Sequence, residues 1–430
     1  MLVTSGAPVG GRVEDRPRNA ARCGVRSRSS VRFLHGYCPI QDGMTTTESV
    51  TDEHRVSRRE AMAGTQPIVR VCLAGPSLDI LGGQAVQLDR LRRRLETVPG
   101  LQVGFLPMNP RLPGPFRALQ RVKYVRTVVT SISYLSSLIW NVRKYDVIHA
   151  FSPSYWAYLL GPVPALAVAR LFGRGALLNY HSGEAADHLA RWPGTIPLAR
   201  LAHSIVVPSE YLTRVFAEFG LEAEAIHNFV DVERVPFRER TNVRPVFLSN
   251  RNLEPMYNVA CSIRAFARIQ AVVPNASLTV AGFGSQRPAL ERLVAERGLT
   301  NVRFVGKVPP DAMAGLLDEA DILLNSPDID NMPLSLLEAH AAGLPIVSTS
   351  TGGIPFIVRH DESGLLSPPG DPVALAESAM RLLTEPGLGA RLGRTGRAVC
   401  EETYSWAAVE PRWVEHYRAL AGIRRYGSRS

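Results

Sequence analysis

Two acids eight residues apart, Asp330 and Glu338, straddle the start of a helix in the segment Asn325-Ser-Pro-Asp-Ile-Asp-Asn-Met-Pro-Leu-Ser-Leu-Leu-Glu-Ala-His-Ala-Ala-Gly-Leu-Pro-Ile-Val347. A strand ends at Asn325 and a polar loop follows. Pro333 marks the first helical turn and Gly343 the stop, the usual placement of those two residues. In a continuous helix an eight-residue step rotates by about 80°, from ~100° per residue. Here the first acid precedes the helix, so both carboxylates can enter one cleft at different depths. A carboxylate can accept two hydroxyl donors, which suits a hydroxyl-rich ligand. The N–H groups at the helix start, around Leu334 to Leu336, offer a site for a diphosphate. Asn331, Met332, Pro333, Leu334 and Ser335 are therefore candidate ligand contacts. Asp328-Ile-Asp330 also spells an Asp-x-Asp that can hold Mg²⁺ or Mn²⁺ against phosphates.

Other candidates lie where a strand gives way to a loop. Gly82-Gly83 stands between a strand and a helix, where glycine lets backbone approach a phosphate or sugar closely; Gly83 is favoured. His181, in Tyr180-His-Ser-Gly-Glu184, sits just past a strand end. Gly282-Phe-Gly-Ser-Gln-Arg287 has arginine where a dinucleotide fingerprint needs its third glycine, so it reads as a nucleotide-facing loop and not an NAD site. Val305-Gly306-Lys307-Val308 ends the next strand.

The elements that must position these residues alternate. Strands are predicted near Ile68–Ala74, Val103–Leu106, Val147–Phe151, Ala176–Tyr180 and Ile205–Pro208. After a proline-bounded polar linker, Pro236 to Pro245, they resume at Val246–Ser249, Leu278–Ala281, Val302–Val305, Ile322–Asn325, Ile346–Thr349 and Leu365–Ser367. Helical periodicity fills the gaps, and no hairpin signal joins neighbouring strands. This predicts an α/β protein with two tandem doubly wound, Rossmann-like domains facing a cleft. The expected boundaries are a disordered extension over 1–66, an N-terminal Rossmann-like domain over 67–236 and a C-terminal Rossmann-like domain over 245–402. Residues 403–430 are expected to form a helix crossing back to the N-terminal domain.

The chain has 430 residues, 20% charged, with a net charge of +10. Such a charge fits nucleic acid, an anionic membrane or a phosphorylated substrate. Zinc-finger spacing, RNP-like sequence and basic–aromatic interleaving are all missing, so nucleic acid is not expected. Five scattered cysteines without a Cys-x-x-Cys pair read as reduced thiols, which suits a cytoplasmic protein. The apolar run Tyr155 to Phe172 carries Pro162, Pro164 and Arg170 and reads as a buried helix. Arg117, Arg121, Lys123 and Arg126 precede Tyr134, Leu135, Leu138, Ile139 and Trp140, a pattern suited equally to a core helix or to peripheral contact with the inner face of an anionic membrane.

The acid-x7-acid motif followed by Ala339-His-Ala-Ala-Gly-Leu-Pro345, with Gly352-Gly353-Ile-Pro355 and Gly364-Leu-Leu366, resembles glycosyltransferase family 4, retaining nucleotide-sugar enzymes of the GT-B fold. The resemblance covers roughly residues 68 to 420. It implies that Glu338 binds the nucleotide ribose and Asp330 the donor sugar hydroxyls. It also implies that the Gly83 loop covers the diphosphate, that His181 lies near donor and acceptor, and that Gly282 and Gly306 flank the nucleotide. The family pattern needs no metal, so Mg²⁺ or Mn²⁺ is not expected. An arginine and a lysine normally clamp the diphosphate after the first C-terminal strand. Arg251 fits the arginine, but Tyr257 or Asn258 occupies the lysine position. Asp330, Glu338, His181 and Arg251 are thus the expected catalytic set, with a glycan, lipid-linked or small-molecule acceptor. A catalytically degenerate nucleotide-sugar-binding or scaffold protein of the same fold is the alternative.

Overall fold

The computed structural model describes residues 67–427 apart from 78, 80, 81 and 113. The extension expected over 1–66 lies outside the described residues. The rest builds two parallel six-stranded sheets. The first contains β1 (Val69–Gly75), β2 (Leu101–Pro107), β3 (Val147–Ser152), β4 (Gly175–Tyr180), β5 (Ser204–Val207) and β6 (Glu224–Ala225). Its order is β2-β1-β3-β4-β5-β6. The second contains β7 (Val246–Ser249), β8 (Ser277–Ala281), β9 (Val302–Gly306), β10 (Ile322–Leu324), β11 (Ile346–Thr349) and β12 (Leu365–Ser367), in the order β12-β11-β10-β7-β8-β9. Strand β6 was not predicted, because two residues are too short to carry a period.

Both sheets have helices on their two faces. β1, β3 and β4 are almost wholly buried, which is why they read as apolar runs without alternation. Strand order reverses between β1 and β3 and between β7 and β10. Loops leaving such switch points splay apart and open a crevice. The loops carrying Gly82-Gly83, Asn250-Arg251 and Asp330 leave β1, β7 and β10 respectively.

The apolar run Tyr155 to Phe172 forms two short helices, Trp156–Leu160 and Pro162–Leu171. Ala165, Leu166 and Ala169 are fully buried there. No described helix is long and apolar enough to cross a membrane.

The linker is more firmly held than its polarity suggested. Arg240 is 1% exposed. Its guanidinium donates to the carbonyls of Arg238 (2.7 Å), Leu317 (2.6 Å), Ala320 (3.1 Å) and Ala342. Burial pushes its pKa down to about 10, so it stays charged at neutral pH. Nearby, the fully buried Asp321 accepts from the Arg244 N–H (2.7 Å) and Nε (2.9 Å) and from Arg238 (2.7 Å). Burial alone would raise the Asp321 pKa, but those bonds outweigh it and hold it low.

The last helix, Trp406–Gly427, packs against the first sheet. Trp406, Trp413, Tyr417 and Leu420 share a core cluster with Val71, Leu73, Leu177 and Val206. The Tyr417 hydroxyl bonds His149 Nδ1 at 2.8 Å. The two sheets are thus joined twice, by the arginine-rich linker and by the chain entering this helix.

Arg240→Ala would leave several buried carbonyls without donors. It is expected to cost about 3 kcal/mol, read as a lowered denaturant midpoint at an unchanged slope.

Candidate active site

The carboxyl ends of both sheets enclose a cleft of about 460 Å³. Its N-terminal wall includes Gly82, Gly83, Ser152, Pro153, His181 and Glu184, and its C-terminal wall includes Arg251, Tyr257, Asp330 to Ser335, and Glu338. A larger groove of about 570 Å³ runs along the amino ends of β7, β8 and β9. None of the loops just described reaches it, so the chemistry belongs to the smaller space.

Asp330 is largely buried and paired with Arg251, which donates to its Oδ2. The Asn331 N–H donates to Oδ1 at 2.9 Å. Burial raises the Asp330 pKa, while the Arg251 charge opposes that rise. The Arg251 guanidinium also reaches Ser335 Oγ at 3.3 Å and lies 4.2 Å above the Tyr257 ring. Tyr257 therefore supports the arginine with a ring face, a cation–π arrangement. Asn258 is occupied elsewhere: it caps the helix Val259–Val272 at φ +39° and donates to Asp328 Oδ1 at 2.9 Å. That contact turns the exposed Asp328 outward, so Asp328 and Asp330 do not converge. Close packing at this loop needs glycine. Gly352 has φ +53°, and a Cβ there would sit 1.9 Å from the Asp330 carbonyl oxygen.

Glu338 projects from the helix Leu334–Ala341 and meets Arg90, whose Nη2 lies 3.1 Å from Oε1. Arg90 also donates to the Phe229 carbonyl at 2.9 Å. Arg90 stands in the sequence close to Arg92, Arg93 and Arg94, yet of the four it is the one that meets Glu338. The spacing carries the signal: Gly83, Val86 and Arg90 fall at i, i+3 and i+7, one face of the helix, and Gly83 and Val86 line the cleft. Two further contacts across the cleft had no sequence signal. Ser209 Oγ donates to Asn331 Oδ1, and Asn228 Nδ2 donates to the Met332 carbonyl at 3.3 Å.

His181 sits at the end of β4, its N–H donating to the Ser152 carbonyl at 3.2 Å. Its ring stacks on Phe151 with centroids 5.2 Å apart, and Phe151 stacks in turn on His149 at 4.6 Å. Burial lowers the His181 pKa to about 3, so the ring is neutral at physiological pH. Its buried Nε2 has no hydrogen-bond partner among the described residues and stands available to a ligand at the cleft wall.

Gly282 and Gly306 do not line this cleft. A Cβ on Gly282 would lie 1.9 Å from the Arg251 carbonyl oxygen, so glycine there lets the β8 loop close behind Arg251. The Gly306 carbonyl accepts from the Gly282 N–H at 2.9 Å. Both support the wall from behind. Lys307 lies over the Phe283 ring, 5.8 Å from its centroid, and is not at the cleft.

Two family profiles match in succession, Glycosyltransferase Family 4 over residues 81–234 and Glycosyl transferases group 1 over residues 233–399. The chain belongs to the GT-B glycosyltransferases of the family 4 type. Among similar proteins, the glycogen synthase of Mycobacterium tuberculosis is 28% identical over 291 residues, 64% of this chain and 69% of that protein. A GDP-mannose-dependent monoacylated alpha-(1-6)-phosphatidylinositol monomannoside mannosyltransferase of Corynebacterium glutamicum is 30% identical over 179 residues, 40% of this chain and 46% of that one. In fold, HepE of Anabaena in complex with UDP-glucose superposes with a TM-score of 0.66 at 17% identity, covering 82% of this chain and 100% of that one. The sucrose-phosphate synthase of Thermosynechococcus elongatus gives 0.66 at 19% identity, covering 82% and 99%.

Buried histidines among the described residues make the fold acid-sensitive. His149 is held well below the usual 6.5, His181 falls to about 3 and His188 and His340 to about 4, in each case first through burial. The unfolded chain then takes up protons before the folded one, so this stability is full above about pH 6.5 and is lost as pH falls towards 4. Melting temperature is expected to drop steadily over that window, with a shallower slope in His181→Gln. A flat profile between pH 7 and 5 would contradict the burial argument.

Proposed function

We propose that this glycosyltransferase transfers a sugar from a nucleoside-diphosphate donor to an acceptor hydroxyl with retention of anomeric configuration. The observation that carries the reading is the meeting of Asp330, Glu338, Arg251 and the start of the Leu334–Ala341 helix on one wall, opposite Gly83 and His181. The diphosphate is assigned to Arg251 and the Leu334 and Ser335 amides, because charge grows there as the bond to the sugar breaks. Glu338 accepts the ribose hydroxyls and exchanges its contact with Arg90 for them. Asp330 and neutral His181 hold the sugar hydroxyls. The acceptor attacks from the face the diphosphate leaves, and its proton passes to the departing phosphate oxygen. Positive charge for the leaving group is assigned to Arg251 and the helix amides rather than to Mg²⁺ or Mn²⁺, since Asp328 is directed to Asn258. HepE binds UDP-glucose and the Corynebacterium relative is GDP-mannose-dependent, which supports a nucleotide-sugar donor and leaves base and sugar to a donor screen. Tyr257 in place of a second cation favours the alternative, a nucleotide-sugar-binding protein without turnover, and a turnover measurement separates the two.

The same reading places the protein at the inner, cytoplasmic face of an anionic membrane. Residues 111–145 contain seven basic side chains and no acid. The helix Lys123–Asn141 buries Tyr134 and Leu138 but leaves Val125, Val128, Ile132, Leu135 and Ile139 exposed. Those five recur every three or four residues, a continuous apolar stripe. Tyr124 and Trp140 are 78% and 80% exposed near its ends, as suits an interfacial anchor. A core helix would have no reason to carry this second apolar face.

Two measurements follow. With a panel of UDP-, GDP- and ADP-sugars, Arg251→Ala is expected to lower kcat on the order of 100-fold while nucleoside binding survives, and Glu338→Ala to weaken nucleotide binding in a folded protein. Wild-type turnover in Arg251→Ala, or normal nucleotide affinity in Glu338→Ala, would overturn these assignments. In sedimentation at low salt, wild type is expected to bind anionic but not neutral vesicles, and Ile132→Glu/Ile139→Glu to lose that binding. Equal binding of wild type to neither would remove the membrane from the proposal.

A further inference from the structure

A short step along the chain from the cleft lies an aromatic group that the donor chemistry does not use. Ser152 and Pro153 line the cleft, and two residues later the chain turns sharply. Tyr155 adopts φ +57°, ψ −133°, a conformation that costs a non-glycine residue about 1–3 kcal/mol and persists only where surroundings enforce it. Here they do. The Tyr155 hydroxyl donates to Asp187 Oδ2. Its ring packs on His188 at 5.0 Å and edge-on to Trp192 at 5.8 Å. The turn delivers Trp156 to the surface, 68% exposed, braced edge-on by Trp192 at 5.1 Å. The second side of this shelf comes from the β4 loop. Glu184 lines the cleft and stands at the start of the helix Ala185–Arg191. That helix supplies Asp187 and Arg191, paired at 2.8 Å, the aspartate half-buried and the arginine exposed.

We infer that the shelf of Tyr155, Trp156 and Trp192, edged by Asp187 and Arg191, is the acceptor subsite, and that the acceptor it takes is a pyranose-bearing glycan. The inference rests on glycosyl transfer at the adjoining cleft. A pyranose ring presents a flat array of C–H bonds to one side and hydroxyls around its rim. An indole face matches the first, and a carboxylate and a guanidinium match the second. The strained turn holds the shelf two residues along the chain from Pro153 of the cleft wall, and fixed positioning of that kind is what a transfer between two bound partners requires. A bilayer is the competing occupant of an exposed tryptophan. It is disfavoured because Glu184 and Asp187 place negative charge beside the shelf, whereas the acid-free basic residues lie in the separate segment 111–145, around the helix Lys123–Asn141.

The full-length protein applied to an array of pyranose glycans tests this directly. Wild type is expected to retain a defined subset. Trp156→Ala and Trp192→Ala are expected to lose that retention at least tenfold, and Trp156→Phe to keep most of it. Thermal shift with UDP, GDP and ADP should be the same in all four proteins, which controls for folding and for the donor side. No glycan retained by wild type, or equal retention by the alanine variants, overturns the shelf. So does loss of anionic-vesicle binding in Trp156→Ala with glycan retention intact. Donor turnover is read separately: its absence beside tryptophan-dependent glycan retention defeats the transfer reading and leaves the shelf standing.

Discussion

The ion pair between Arg251 and Asp330 is the constraint around which the cleft is organised. Both side chains are about nine-tenths buried, at 11% and 10% exposure. Neither would be tolerated there alone, since breaking a buried pair costs about 3–5 kcal/mol. The pair survives because each partner is held from a second side. Tyr257 lies beneath the guanidinium, and the Asn331 amide binds the carboxylate. Gly352 admits the loop backbone that closes over the acid. The result is a cation fixed at the cleft wall before any ligand arrives, and preorganised charge of this kind is what a leaving diphosphate needs.

A second acid–arginine pair works across the cleft. Arg90 comes from the N-terminal sheet's first helix and Glu338 from the C-terminal half. Together with Ser209–Asn331 and Asn228–Met332, it draws the two halves together around the acid loop itself. Under the proposed donor assignment, interdomain contact and ligand contact involve the same residues. A ligand that engages Glu338 must alter a contact that holds the halves in register, so binding and domain geometry are coupled by construction.

The remaining joints are rigid. Arg240 ties the linker to three carbonyls in two C-terminal segments. The helix Trp406–Gly427 returns to cover the first sheet, where Tyr417 reaches His149. Through the stack of His149, Phe151 and His181, this cover is continuous with the cleft wall, so the helix Trp406–Gly427 helps fix a residue that lines the cleft.

Much of this was legible in one dimension. Strand–helix alternation, buried strands written as unbroken apolar runs, and the Pro333-to-Gly343 helix are local patterns. They placed β7, β11 and β12 at their observed bounds. The acid-x7-acid spacing likewise marked Asp330 and Glu338, because a loop acid and a helix acid share a cleft whenever the strand before them ends at its rim. Local pattern could not say which arginine on an amphipathic helix turns inward, that Tyr257 would lie beneath Arg251, or that Gly282 and Gly306 stand behind the wall. Nor could it show Tyr155 forced into a strained turn beside Trp192, 37 residues away. Those are contacts between elements distant in sequence, and their partners are chosen by how two sheets pack against one another. Periodicity along the chain records only which face of each element is buried.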